Sequence, residues 1–290
     1  MMRGPGNWAV AVRTPKGAIA QVSRQIDSPM ARHWLLRLPI VRGVMALGES
    51  LAIGFRALAI SANYAAQDEN AEEGAEVETE LSRGALIFAF VIAIGFAIAL
   101  FKVTPGLITE ALPIKSGGWF VIVEGLIRVT LFVAYLTLIS LLPDLRRVFQ
   151  YHAAEHKAIN AYEAGEELEP EIVQRYSLIH PRCGTAFLLW VMVIAVFVFA
   201  FFGRPAWYWL IATRVLLLPV IAGLAYELIR FAGKHQNRVV MTVLAPGLWL
   251  QRLTTREPSL DQLEVSIQAL REVLTLEAVR TGESRVEVMA

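Results

Sequence analysis

Four long apolar runs, separated by polar segments of unequal length, set the pattern of this chain. Residues 84–101, "GALIFAFVIAIGFAIALF", carry no charge over eighteen positions, the length of a short membrane-spanning helix. Residues 119–142, "WFVIVEGLIRVTLFVAYLTLISLL", can cross with tilt, and Pro143 ends them. A third run covers 185–202. A fourth covers 207–229, opening on interfacial aromatics with a kink expected at Pro219. The expected architecture is mainly α: a polytopic membrane helix bundle of about four spans. It divides into a transmembrane hairpin over 84–142, a polar segment over 143–184 and a second hairpin over 185–230.

The stretch 39–66 is ambiguous in its polarity. "IVRGVMALGESLAIGFRALAISANYAA" is apolar on average but places Arg42, Glu49 and Arg56 seven residues apart, which stacks them on one helical face. Ionised groups at mid-bilayer cost about 2.5–3.5 kcal/mol each on insertion scales unless paired. The expectation is an amphipathic or re-entrant helix on the membrane interface; the alternative is a span whose charged stripe faces the bundle interior. The remaining segments are polar. Residues 1–38 contain "NWAVAVRTPKGAIAQVS", alternating strands around a turn with Pro at its second position and Gly at its fourth, a small β-hairpin. The acidic 67–83 reads as a linker. In 231–290, Ser259 and Gln262 form a capping-box signal ahead of a stripe of Leu260, Leu263, Ile267, Leu270 and Leu274, an amphipathic helix in need of a partner surface.

Composition agrees with a membrane protein: 56% of the 290 residues are hydrophobic and the formal net charge is +1. No basic excess is available for a nucleic-acid partner. A single cysteine excludes an internal disulfide framework. Lysine and arginine are sparse in 102–118 and 203–206 and abundant in the termini and in 143–184. The positive-inside rule then predicts an inner (plasma) membrane protein with both termini and the 143–184 segment cytoplasmic.

Chemistry concentrates at "YHAAEHKAINAYEAGEELEP". On a helix His152 and His156 lie one turn apart on one face, the usual way a short segment offers two nitrogen ligands. Glu155 lies about 60° away, close enough to act as general base on a metal-bound water. The order His-x-x-Glu-His is that of the inverzincins. Glu163 shares their face but lies roughly 10 Å further along the axis from His156. A third ligand is better drawn from "HPRCG", where His180 and Cys183 follow a His-x-x-Cys spacing at the mouth of the third span. Glu227, near the same membrane level, is a further candidate. The expected cofactor is a divalent metal, zinc by ligand type. The plain alternatives are a solvated helix end, a turn histidine and a small buried cysteine. Within the spans, Glu124 and Arg128 are i, i+4 partners and Arg214 stands alone, which reads as interior-facing charge.

Five blocks resemble the YqhQ-like family of bacterial and plastid membrane proteins: "MMRGPGNWAVAVRTPKG", "RGVMALGESLAIGFRALAISA", "YHAAEHKAINAYEAGEEL" with "HPRCGTAF", "AGLAYELIR", and "PGLWLQRLTTREPSLDQLEVSIQAL". The resemblance implies a multi-pass membrane protein with a suspected metal site and supplies no reaction. Family members tend to carry Gly where this chain has Ala153, and a glycine-rich segment ahead of the first block. The function expected from these residues is a membrane-embedded, metal-dependent hydrolase acting on a membrane-protein segment or lipid at the cytoplasmic face. The alternative is a non-enzymatic assembly or transport protein. Small-residue spacings, Gly48 to Ala52 and Ala57 to Ser61, suit close helix packing and a homo-oligomer.

Overall fold

The computed structural model describes residues 1–281 except 15, 67–82, 115, 204–205 and 236. The acidic linker expected over 67–83 therefore lies outside the described residues, Arg83 apart. Three strands open the chain: β1 (Met2–Arg3), β2 (Asn7–Arg13) and β3 (Ile19–Gln25), antiparallel in the order β1-β2-β3. The β2–β3 hairpin pairs Asn7 with Gln25 and Arg13 with Ile19. Its turn closes through the Gly17 N–H donating to the Thr14 carbonyl at 2.8 Å. Gly17 has φ +85°, which a side chain would resist. The expected hairpin is thus present, with β1 added at its edge.

Strand alternation sends β2 side chains to opposite faces, and both faces are covered. Trp8 and Val10 pack on Ile53 and Ala57 of α1 (Val41–Ala66). Met2 and Ala9 pack on Ala158 and Ile159 of α5 (Pro143–Ala164) and on Leu263, Ile267 and Leu270 of α10 (Leu260–Thr281). The C-terminal stripe therefore finds its partner within the chain. Gln262 also reaches back to the Ser259 N–H at 2.9 Å, as the capping-box spacing predicts.

The apolar helices follow: α2 (Arg83–Ile98), a π segment (Ala99–Val103), α3 (Thr104–Glu110), α4 (Gly117–Ser140), α7 (Gly184–Phe202) and α8 (Trp207–Lys234). Short α6 (Pro170–Val173) precedes α7, and α9 (Arg238–Thr254) follows α8. Among the described residues five helical stretches are long and apolar enough to cross a membrane: Val41–Tyr64, Val91–Glu110, Gly117–Ser140, Gly184–Phe202 and Ala212–Lys234. The first run continues past the expected end at residue 101. The uncharged run ends before Lys102, but Lys102 pairs with Glu124 of α4 at 3.0 Å. The π segment ahead of Pro105 accommodates the proline without ending the helix. Glu124, 4% exposed, also accepts from Arg128 and lies 3.9 Å from Arg214. One buried carboxylate is thus ringed by three cations, and Arg128 also donates to the Phe101 carbonyl at 2.8 Å.

α1 meets the length and composition criterion for a span and packs on both the sheet and α8. One face lies on the sheet, while Leu51, Phe55 and Leu58 on the other are exposed. Arg42 forms a bidentate pair with Glu227 of α8, its Nε at 2.6 Å, and Glu49 accepts from Arg3 at 2.7 Å. α1 enters at Ile40, a β-branched residue with φ 71°, pressed against Gly223 of α8, where any Cβ would lie 2.4 Å from Ile40 Cγ2.

Candidate metal centre

α5 starts at Pro143, whose missing N–H costs nothing in the first turn, and stops at Gly165 in the left-handed conformation. Its inner face is built from Ala153, Ala154, Ala158 and Ala161, all fully buried. Small side chains let the neighbouring segment 174–183 lie close, and three polar groups of α5 hold it there. Lys157 Nζ donates to the Gln174 carbonyl at 2.6 Å. Asn160 Nδ2 donates to the carbonyls of Ser177 at 2.9 Å and Ile179 at 3.1 Å. His156 Nδ1 meets the Leu178 carbonyl at 2.6 Å.

These carbonyl contacts fix the tautomers. A carbonyl only accepts, so His156 Nδ1 carries the proton and Nε2 presents a lone pair. His156 is fully buried, and its Nε2 is buried with no hydrogen-bond partner. His152 repeats the arrangement: Nδ1 donates to the Thr254 carbonyl at the end of α9 at 2.9 Å, and Nε2 lies 3.3 Å from Cys183 Sγ. The two rings sit 4.4 Å apart between centroids. One ligand atom from each of His152, His156 and Cys183 falls within 4.8 Å of the others. Imidazoles whose far nitrogens donate to carbonyls are the supported form of a metal-binding histidine.

Cys183 caps the N-terminus of α7, its sulfur accepting from the Thr185 N–H at 3.4 Å. Burial alone would raise its thiol. The hydrogen bond from His152 and the adjacent His156 outweigh burial and bring it well below its ordinary value. His152 responds in kind: burial would lower it, but Cys183 and then the Glu155 charge raise it to about 9. At neutral pH the pair thus favours the Cys183 thiolate beside a protonated His152, with the His156 ring adjacent. A divalent cation takes such a donor set by displacing the proton from the nitrogen.

The other sequence candidates lie around this group. Glu155 is half-buried beside His152 and accepts from the amino group of Met1. His180 is buried 6.0 Å from the His156 ring, but its backbone and side chain are committed elsewhere. Gln251 of α9 clamps its N–H at 3.0 Å and its carbonyl at 2.9 Å, and its Nε2 faces Glu163 at 3.5 Å. Burial lowers His180 more than Glu163 raises it. Glu163 itself is held below the usual carboxylate range: burial would raise it, but His180 and Arg182 prevail. Glu227 is taken by Arg42 and does not reach the histidines. Sequence reading missed Gln251 and the Thr254 carbonyl. Both lie on α9, a helix interrupted by Pro246 whose fit against α7 depends on Gly247 facing Ala186 and Trp190.

Comparison with known proteins places the chain without assigning chemistry to it. A family model described as protein of unknown function (DUF1385) matches residues 38–276. The chain is 32% identical over 287 residues to the uncharacterized protein YqhQ of Bacillus subtilis (strain 168), covering 96% of this chain and 90% of that one. No solved structure matches. The chain, with its helices able to cross a bilayer, its N-terminal sheet and its His152–His156–Cys183 group, belongs to the DUF1385 family.

Proposed function

We propose that this protein is a membrane-embedded, metal-dependent hydrolase whose site opens on the cytoplasmic face of the plasma membrane. The carrying observation is geometric: ligand atoms of His152, His156 and Cys183 converge within 4.8 Å, and the buried His156 Nε2 meets no hydrogen-bond geometry among the described residues. A buried lone pair without a partner costs about 1–3 kcal/mol, and a cation bound by all three ligands removes that cost. The donor set of two imidazoles and one thiolate suits zinc, with a fourth position left for water or substrate. Bound there, zinc supplies a Lewis acid and an acidified water.

The chain's own residues do the rest. The carbonyls of Leu178 and Thr254 keep both imidazoles in the ligating tautomer. Glu155 is one residue from His156 and within electrostatic reach of His152, suited to take a proton from water and return it to a leaving group. Its contact with the Met1 amino group would yield to substrate. The sparse lysine and arginine at the opposite ends of the spans support a cytoplasmic site. The assembly alternative loses a contact surface, because the α10 stripe is buried on the sheet and α5.

Glu155→Gln tests the reading. Purified zinc-loaded protein is offered fluorogenic amide, ester and phosphodiester amphiphiles in detergent. The expected result is hydrolysis of one class by the wild type, with a drop of about 100-fold or more in Glu155→Gln at unchanged zinc content. Equal rates in the two proteins would remove Glu155 from the chemistry.

A further inference from the structure

Beside the metal-binding group lies a cavity of about 430 Å³ that the histidine motif does not predict. It is enclosed by the loop after β1, the first turns of α1, the N-terminus of α7 and the cytoplasm-proximal end of α8. Four arginines line it, Arg3, Arg42, Arg182 and Arg230, and no carboxylate does. Three of these are balanced from behind: Arg3 by Glu49, Arg42 by Glu227 and Arg182 by Glu163. Arg230 makes no hydrogen bond or ion pair among the described residues, since Glu227, one turn earlier, is already held by Arg42. The cavity thus carries one guanidinium, Arg230, that shares its nearby carboxylate Glu227 with Arg42, and three more fixed in direction by their carboxylates. Gly184 adds the positive end of the α7 dipole. Guanidinium groups fixed in this way match the oxygens of phosphate.

The remaining wall is apolar, formed by Leu47, Phe187 and Ile229. Two of these residues belong to spanning helices and the third to α1, whose exposed Leu51, Phe55 and Leu58 place it at the bilayer surface. A site with arginines at one end, hydrocarbon at the other and headgroup depth in the membrane recognises an amphiphile. We propose that this cavity binds the phosphate headgroup of an anionic membrane lipid. Cys183 lines the same cavity, so a bound headgroup would abut the metal-binding group. That the lipid is also the substrate rests on the hydrolase reading; the binding itself does not.

The probes are dihexanoyl phosphatidic acid, dihexanoylglycerol and inorganic phosphate, each titrated calorimetrically into the full-length protein in a neutral detergent. Saturable binding of the phosphatidic acid is expected, with no binding of the neutral diacylglycerol and inorganic phosphate about tenfold weaker or worse. Arg230→Gln should weaken the lipid about tenfold. Lys234→Gln, an exposed cation one turn further along α8 and outside the cavity, should leave it unchanged. Leu47→Trp, which fills the apolar wall, provides a second variant that does not touch charge and should also weaken binding. His156→Ala should retain binding, which separates failure of the metal centre from failure of the lipid site. Equal affinity for the neutral analogue, equal affinity for free phosphate, or indifference to both Arg230→Gln and Leu47→Trp would overturn the proposal.

Discussion

At the residue scale the site depends on who holds the backbone around it. Gln251 makes both hydrogen bonds to the main chain of His180 and is itself fully buried. Gln251→Ala would leave the His180 N–H and carbonyl buried without partners, at about 1–3 kcal/mol each. It should lower the thermal midpoint in detergent, read by intrinsic fluorescence, and weaken zinc binding about 10–100-fold through the displaced Cys183 segment. An unchanged midpoint would show that water replaces the amide without cost. Much of this clustering was legible in the chain: His-x-x-Glu-His spacing put two imidazoles on one face, and "HPRCG" offered the cysteine that lies beside them. The choice between His180 and Cys183 was not legible, because it turns on Gln251 and Glu163, which fix His180 away from the other two. Spacing within a motif says nothing about a clamp from a helix some seventy residues later.

At the scale of elements the docking of α1 on α8 is an exacting backbone contact. Gly223 meets Ile40 so closely that an added Cβ would lie 2.6 Å from the Ile40 carbonyl oxygen and 2.8 Å from its Cα. Ile40 cannot retreat without abandoning an already unfavourable backbone conformation. Gly223→Ala should therefore cost roughly 1–3 kcal/mol and raise the protease sensitivity of α1. Gly48→Ala, whose Cβ would meet nothing within 4 Å, should be neutral. Equal protease sensitivity of the two variants would refute the docking. The hairpin, the capped C-terminal helix and the apolar runs were readable from periodicity and turn residues. The extent of the first span was not, since Lys102 reads as a boundary until Glu124 is known to face it. Nor was α9 readable, because Pro246 interrupts its pattern and its partners are the ends of other helices.

At the scale of the whole molecule, the sheet packs with α5 and α10 around one core, and the topology expected from the charge pattern puts that body and both termini on the cytoplasmic side. Introduced cysteines at Ser116 and Ser259, in a Cys183→Ala background, should therefore respond oppositely to an impermeant thiol reagent on intact cells, with Ser116 alone labelled. Labelling at both positions would contradict that topology. On the inner side of that architecture sits the central claim, a metal held by His152, His156 and Cys183. It is tested most directly by elemental analysis of the detergent-purified, zinc-reconstituted protein beside His156→Ala and Cys183→Ser. Serine can still cap α7, so Cys183→Ser separates loss of a ligand from loss of fold. About one zinc per folded wild-type chain, with strong depletion in both variants at near-unchanged helix content, is the predicted result. Wild-type protein that takes up no zinc, or variants that retain it fully, would contradict the account.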